Sequence, residues 1–434
     1  MRYHLRFVFS ILIWLIATPV AAINLVRDAD IEHALTELSR PILIAAGLSP
    51  AQIKILVLDS SAPNAFVVDH RHIFVSSGLI LRSKRPSMLQ SVIAHEAAHI
   101  ANGHVTRRSQ NMASARNAAA FGIALGIMTG ALSGDYAAGG TVALGASNSA
   151  QRLFLSHTRA EESAADRAAL SYMTRAGIDP RGMSEVLDIF VGQENLSAAR
   201  QDPYTRTHPL SRDRSRAVTA FAQAQETRQA DPKALYWHAR ATGKLAAFTR
   251  KPSQTLKAKQ SVTSADIHHM RRAVALSRQG KLDEALLEIS KAEKLRPKDA
   301  YYKDLKAELL MRHKRFGASA KAYAQAVQLA PQNALIRAGY GRALLANKQD
   351  AKALSTLKKA RSQDFRNLRM LRDLAVAYAK QGQNAMASLV TAERYALQGK
   401  IKDAKLHAKR ASDRLPTGSP SWQRAQDVLD TLPK

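Results

Sequence analysis

Two histidines four residues apart with a glutamate between them, His95-Glu96-Ala97-Ala98-His99, are the strongest chemical signal in this chain. On a helix, positions i and i+4 lie about 40° apart on one face, so both imidazoles can reach one divalent cation. Glu96 then sits beside the water that such an ion activates. Val92, Ile93, Ala97 and Ile100 make the same stretch apolar, and placing two histidines there needs a reason. Zinc also requires a third protein donor. His104 is poorly placed for that role, about 140° from His99 and 180° from His95 around a continuing helix. A histidine six residues after the second is missing, because that position is Val105. Glu161-Glu162-Ser163-Ala164-Ala165-Asp166 supplies carboxylates instead. Glu162 and Asp166 share one helix face. One could bind the metal while the other fixes an imidazole through its second ring nitrogen. The chain has no cysteine, which excludes thiolate zinc sites, thiol nucleophiles, disulfide scaffolds and a lipid-modified N-terminal cysteine.

The elements that must position these groups are legible in outline. Three short β-like runs, Ile53–Leu58, Ala65–Val68 and His72–Val75, are punctuated by Pro63-Asn64 and Asp69-His70-Arg71. The strand around 64–68 or the one around 73–75 is expected to expose a sheet edge where an extended substrate could pair. A helix follows, with Pro86 near its first turn and Gly103 just past its end. Residues 150–225 read as helical, interrupted at Pro180 and over 202–209. Residues 118–146 are rich in Ala, Gly and aliphatics. They suit a buried or loosely packed helical hairpin, or a segment that covers substrate or touches a membrane surface peripherally. Asp135 and the clustered glycines interrupt any apolar run of about 18 residues, so no transmembrane helix is expected there.

At 434 residues, the chain is long enough for two or three domains at roughly 100–200 residues each. Residues 1–22 read as a secretory signal: Arg2 and Arg6, an apolar run from Phe7 to Ile16, then Thr18, Pro19 and small residues, with cleavage expected after about Ala22. From about residue 266 the chain repeats with a period of 34 residues. Gly280, Ala285, Ala292 and Pro297 are followed by Lys314, Ser319, Ala326 and Pro331, then by Lys348, Ala353, Ala360 and Phe365, then by Gly382 and Ala387. Small residues at fixed places let paired helices approach closely, in the manner of the tetratricopeptide repeat. Gly399, Ala404, Ala411 and Pro416 follow after only half a period. The helix around 384–397 must therefore serve two neighbouring pairs, with a capping helix near 419–431. The formal charge is +29, and residues 251–434 carry 37 Lys and Arg against 16 Asp and Glu. Such a surface attracts anions or acidic proteins. Export argues against nucleic acid as the partner.

Taken together, these residues resemble the zinc metallopeptidases of the HtpX, OMA and BepA type, and within them the periplasmic BepA-like branch with C-terminal repeats. The resemblance runs through Asn64-Ala65-Phe66, Ile73-Phe74-Val75 with Gly78-Leu79, His95-Glu96-x-x-His99, Thr158-Arg159 with Glu162-x-x-x-Asp166, and Thr207-His208-Pro209. Where such proteins commonly have Ser-Arg, this chain has Thr158-Arg159. The resemblance implies an α+β fold: a gluzincin-type zinc peptidase domain, mostly helical with a small sheet, followed by an all-α solenoid of tetratricopeptide repeats. The expected division is a signal peptide at 1–22, the peptidase domain at 23–250, a linker at 251–265 and the repeats at 266–434. It further implies one Zn²⁺ per chain held by His95, His99 and Glu162. Glu96 would be general base and then proton donor, and Asp166 a support for a ligand imidazole. His208 would be a regulatory fourth ligand that can hold the enzyme latent. The implied activity is periplasmic, zinc-dependent cleavage of misfolded or misassembled envelope and outer-membrane proteins, with the repeats docking onto substrate or outer-membrane assembly machinery. The alternative is a repeat scaffold or chaperone whose zinc site is latent or structural.

Overall fold

The computed structural model describes residues 25–107, 159–196, 200–257 and 264–432. The cleavage region near Ala22, Thr158 and the 118–146 segment lie outside them.

Four strands make one sheet in the order β1-β2-β4-β3: β1 (Leu25–Val26), β2 (Lys54–Leu58), β3 (Ala65–Asp69) and β4 (His72–Ser76). The three apolar runs of the sequence became β2, β3 and β4. Two residues are too few to show alternation, so β1 left no sequence signal. β3 and β4 form an antiparallel hairpin, while β2 and β4 run parallel. This makes β4 an interior strand. Of the two expected edges, the one at Ile73–Val75 is therefore corrected: β4 is paired on both sides, and β3 alone of the two borders the sheet. Period-two alternation sends Ile55, Val57, Val67, Ile73 and Val75 into the main core. Phe66 and Phe74 stack on the other face at 5.3 Å.

The core is closed by α1 (Ala29–Ala45) and α3 (Pro86–Ala101), with the short α2 (Ser77–Arg82) between sheet and α3. Proline opens α3, and every residue from Pro86 to His99 is buried. The His-Glu-x-x-His face thus points into protein rather than solvent. Gly103 ends the helix with φ +68°, a conformation that costs glycine little. Next come α4 (Arg159–Arg175), α5 (Arg181–Asp188), α6 (Pro203–Thr207) and α7 (Arg212–Gln223). Both α4 and α5 pack on α3.

The helix α8 (Pro232–Thr249) belongs to two cores. Its Ala241 and Leu245 join the peptidase core, whereas Ala247 joins the first repeat core. Two buried cations on α8 are paired here, and Arg240 ties the halves together. Arg240, 1% exposed, lies 2.7 Å from Asp30 and 2.5 Å from Asp299. Lys244 lies 2.8 Å from Asp28. Residues 252–257, read from sequence as linker, form a further short helix, α9 (Pro252–Lys257), packed on the first repeat helix.

The repeats are α10 (Ala265–Arg278), α11 (Leu282–Leu295), α12 (Ala300–Arg312), α13 (Phe316–Leu329), α14 (Ala334–Ala346), α15 (Asp350–Gln363), α16 (Leu368–Lys380), α17 (Asn384–Leu397), α18 (Ile401–Ser412) and α19 (Pro420–Thr431). Ala285, Ala292, Ser319, Ala326, Ala353, Ala360, Ala404 and Ala411 are all buried. Their small side chains are what lets the helices of a pair touch. α17 packs on α16 at one side and α18 at the other, and α19 closes the stack, as the half-period spacing predicts. The turn inside each pair uses one left-handed residue: Gly280, Lys314, Lys348, Gly382 and Gly399.

Candidate metal centre

His95 and His99 from α3, Glu162 from the first turn of α4 and His208 just after α6 converge. One donor atom of each lies within 4.8 Å of all the others. All four side chains are buried. His95 Nε2 lies 3.1 Å from His99 Nε2 and 3.3 Å from His208 Nδ1. The Glu162 carboxylate lies 3.0 Å from His208 Nδ1, 3.3 Å from His99 Nε2 and 3.4 Å from His95 Nε2. A tetrahedron with metal–ligand bonds of about 2.0–2.1 Å has edges of about 3.3 Å. The observed spacings fit that figure. Three imidazole nitrogens and one carboxylate oxygen are also a donor set that suits zinc.

The far nitrogen of each imidazole is held as well. His95 Nδ1 lies 3.0 Å from Asp166 Oδ1. His208 Nε2 donates to the Ala65 carbonyl at 3.2 Å, so the histidine after α6 is anchored on border strand β3. His99 Nδ1 faces His104 Nδ1 at 2.9 Å, where one ring donates and the other accepts. Such outer contacts set ring rotation and tautomer before a metal binds. Glu96, fully buried, has a carboxylate oxygen 3.4 Å from His208 Nε2. It stands beside the convergent set without joining it. Tyr204 tilts against the His208 ring at 4.7 Å and stacks on Phe190.

Arg214, at the start of α7, closes the centre. Its Nη1 lies 2.8 Å from Glu162 Oε2, and its Nε and Nη2 donate to Asp166 at 2.6 and 2.8 Å. Nη1 also donates to the Pro209 carbonyl at 2.8 Å. One guanidinium thereby joins the carboxylate of the set, the support of His95 and the loop that carries His208.

The electrostatics follow from this crowding. Burial alone would raise the Glu162 carboxyl, but His208 and His95 beside it hold it well below the usual range. Burial opposes charge on His95 too, yet Glu162 and Asp166 push that imidazole up to about 10. His99 goes the other way, lowered by burial and by its neighbour His95 despite Glu162. It is therefore neutral and ready to donate a lone pair.

All six residues singled out in the sequence, His95, Glu96, His99, Glu162, Asp166 and His208, meet here. His104 is not in the convergent set, but the angular argument against it assumed a continuing helix. Gly103 breaks that helix, and the chain resumes a helical turn at 104–107, which brings His104 onto the back of His99. Sequence reasoning missed this contact and missed Arg214. The available signal for Arg214 was faint: Arg214, Val218 and Ala222 share one buried face of α7, but Arg212 and Arg216 flank it in sequence.

Comparison with known proteins adds an independent line. Residues 26–222 match the model of peptidase family M48, and residues 310–374 match a tetratricopeptide repeat. The chain is 24% identical over 418 residues to the Beta-barrel assembly-enhancing protease of Escherichia coli strain K12, covering 94% of this chain and 84% of that protein. It is 28% identical over 192 residues to the Mitochondrial metalloendopeptidase OMA1 of Schizosaccharomyces pombe, covering 43% of this chain and 52% of that protein. Among solved structures, MamA from Desulfovibrio magneticus RS-1 aligns with 37% of this chain and 94% of its own, at 18% identity and a TM-score of 0.33.

Proposed function

We propose that this chain, whose residues 26–222 match peptidase family M48 and whose residues 310–374 match a tetratricopeptide repeat, is a zinc-dependent endopeptidase of the periplasm that cleaves misfolded or misassembled outer-membrane proteins. The observation that carries the chemistry is the convergence of His95, His99, Glu162 and His208 with Glu96 at its side. The substrate class rests on the likeness to the Escherichia coli protease along most of both chains. The signal-like residues 1–22 support the location, and no helix of the described residues is long and apolar enough to cross a membrane. The repeats are the natural surface for docking onto substrate or outer-membrane assembly machinery.

In this reading His95, His99 and Glu162 hold one zinc ion, which when bound supplies Lewis acidity toward a scissile carbonyl and an attacking water. Glu96 takes the proton of that water and later delivers it to the leaving amine. Asp166 keeps the His95 ring oriented, and Arg214 holds Glu162 in place. A substrate strand can pair along border strand β3. His208 stands against both events. It fills the fourth position of the donor set, which a catalytic site keeps open, and it bonds the Ala65 carbonyl at the start of β3. Activity then requires the His208 loop to withdraw.

The test is cleavage of an unfolded protein by the purified mature chain, with zinc content measured alongside. Glu96→Gln should lower cleavage by about 10²–10⁴-fold with one zinc per chain retained. Undiminished cleavage would remove Glu96 from the mechanism. His208→Ala should raise basal cleavage; no rise would end the latency reading. The four-donor closure also favours a second reading, a repeat chaperone with a latent or structural zinc. It predicts that Glu96→Gln leaves function in the envelope intact.

A further inference from the structure

The repeat half holds a second polar centre that peptide cleavage does not use. A cavity of about 270 Å³ opens where Asp28 and Ala29, at the start of α1, meet helices α12, α14 and α16. Asp304 and Glu308, one turn apart on α12, line it; Arg342 of α14, Arg366 and Arg369 line it too, and so does Arg27, which is paired with Glu32 and Asp364. Asp304 is only 9% exposed. Among the described residues, no hydrogen bond or ion pair reaches its carboxylate. Lys244, a buried cation whose charge acts on this carboxyl, is engaged by Asp28 at 2.8 Å and by Asp30 at 3.5 Å. Glu308 has a loose contact with Arg312 at 3.8 Å, along its own helix. On the other wall Arg342 is paired with Asp373 at 2.7 Å, while Arg369 has no ion pair among the described residues.

A carboxylate nine-tenths buried, with no ion pair and facing a cavity, is costly in the empty chain. Burial drives the Asp304 carboxyl well above its ordinary range. Lys244 opposes this, while Asp28, Glu308 and Asp30 add to it. Among the described residues the set at His95 is the one group of three or more possible metal donors, and no such group forms around Asp304. The cavity is also several times the roughly 30 Å³ of a water molecule, which leaves room for a side chain.

We infer that this cavity receives a lysine or arginine side chain of a partner polypeptide, its cation opposite Asp304 and Glu308 and a neighbouring acidic side chain of the same segment meeting Arg369. The net charge of +29 repels a basic partner at long range, so recognition comes from these local carboxylates and not from steering. The site is independent of the zinc chemistry.

The experiment uses the full chain carrying Glu96→Gln, so that probes are not cut, at physiological salt. The probe is a fluorescent 12-residue Gly/Ser peptide with a central Lys-Glu pair; controls replace Lys by norleucine or Glu by Gln. The norleucine peptide should bind at least about fivefold more weakly than the Lys-Glu peptide. The Asp304→Asn, Glu308→Gln double variant should bind both alike, at the weaker level. Arg369→Gln should erase the preference for Glu over Gln and keep the preference for Lys. Asp304→Asn removes an unpaired charge and should raise the melting temperature, which separates lost binding from lost folding. Equal binding of Lys and norleucine peptides, or a lysine preference that survives the double variant, overturns the inference.

Discussion

Around His95, the buried carboxylates Glu162 and Asp166 are each met by Arg214 and by an imidazole. Around Asp304, Asp28 and Glu308 have cation partners at 2.8 and 3.8 Å, whereas the Asp304 carboxylate has no ion pair among the described residues. The first centre is fully buried, whereas the second lines a cavity of about 270 Å³. The first is saturated by the protein itself, which fixes every donor in advance of a metal. The second is left incomplete, which destabilises the empty chain but keeps attraction in reserve for a ligand. The Arg240 junction is a third case. Its charges are paired like those of the first, yet it lies between the halves and serves neither chemistry.

The comparison can be broken by substitution. The largest effect is expected at the junction. Arg240→Ala takes the closest cation from buried Asp30 and from part-buried Asp299 and should cost about 3–5 kcal/mol, read as a fall in the urea midpoint. A change below about 1 kcal/mol would mean that the halves do not depend on this contact. Next is Arg214→Met, which should weaken zinc binding by about 10–100-fold in competition with a chelator. Arg214→Lys should recover part of the loss, because it restores the charge but not the fork.

A pH series sharpens the contrast at Asp304. Its folded-state carboxyl is raised, so the native chain binds more protons than the unfolded one, and the group's contribution falls as pH rises from the unfolded value of about 4. The stabilisation by Asp304→Asn should therefore vanish near pH 4 and grow as pH rises above it, in melting curves of both proteins. Asp28, Asp30, Glu308 and Lys244 face the same carboxyl and are unchanged in that comparison. The smallest effect is in the repeat turns. Lys314 and Lys348 adopt φ of +60° and +58°, where glycine avoids a cost of about 1 kcal/mol. Lys314→Gly and Lys348→Gly should each raise stability by up to that amount, measured as urea midpoints. A loss would show that these lysines make a contact worth more than the strain.

Legibility followed the range of the interactions. The repeat turns show this well: the same left-handed position carries Gly in three pairs and Lys in two, so glycine alone would not have marked the period, whereas buried Ala285, Ser319 and Ala353 did. At the metal centre, the His95–His99 pair and the Glu162–Asp166 pair were each visible as one helical turn. His208 was found through the Thr207-His208-Pro209 resemblance and not from its surroundings. His104 was misjudged because one residue, Gly103, redirects the chain. β1 and the helix at 252–257 were missed because they are too short to show a period.

The amino-acid order by itself determined what recurs within a turn or a repeat: which face of α3 carries both imidazoles, which small residues let repeat helices touch, and the excess positive charge of the C-terminal half. Tertiary structure decided what must meet across long separations: His95 with His208 at 113 residues, Arg214 with Asp166 at 48, and Arg240 with Asp299 at 59. The reason is physical. Side-chain periodicity records which face is buried, but it holds no information on which distant group will stand opposite, and a buried charge is stable only once that group has arrived.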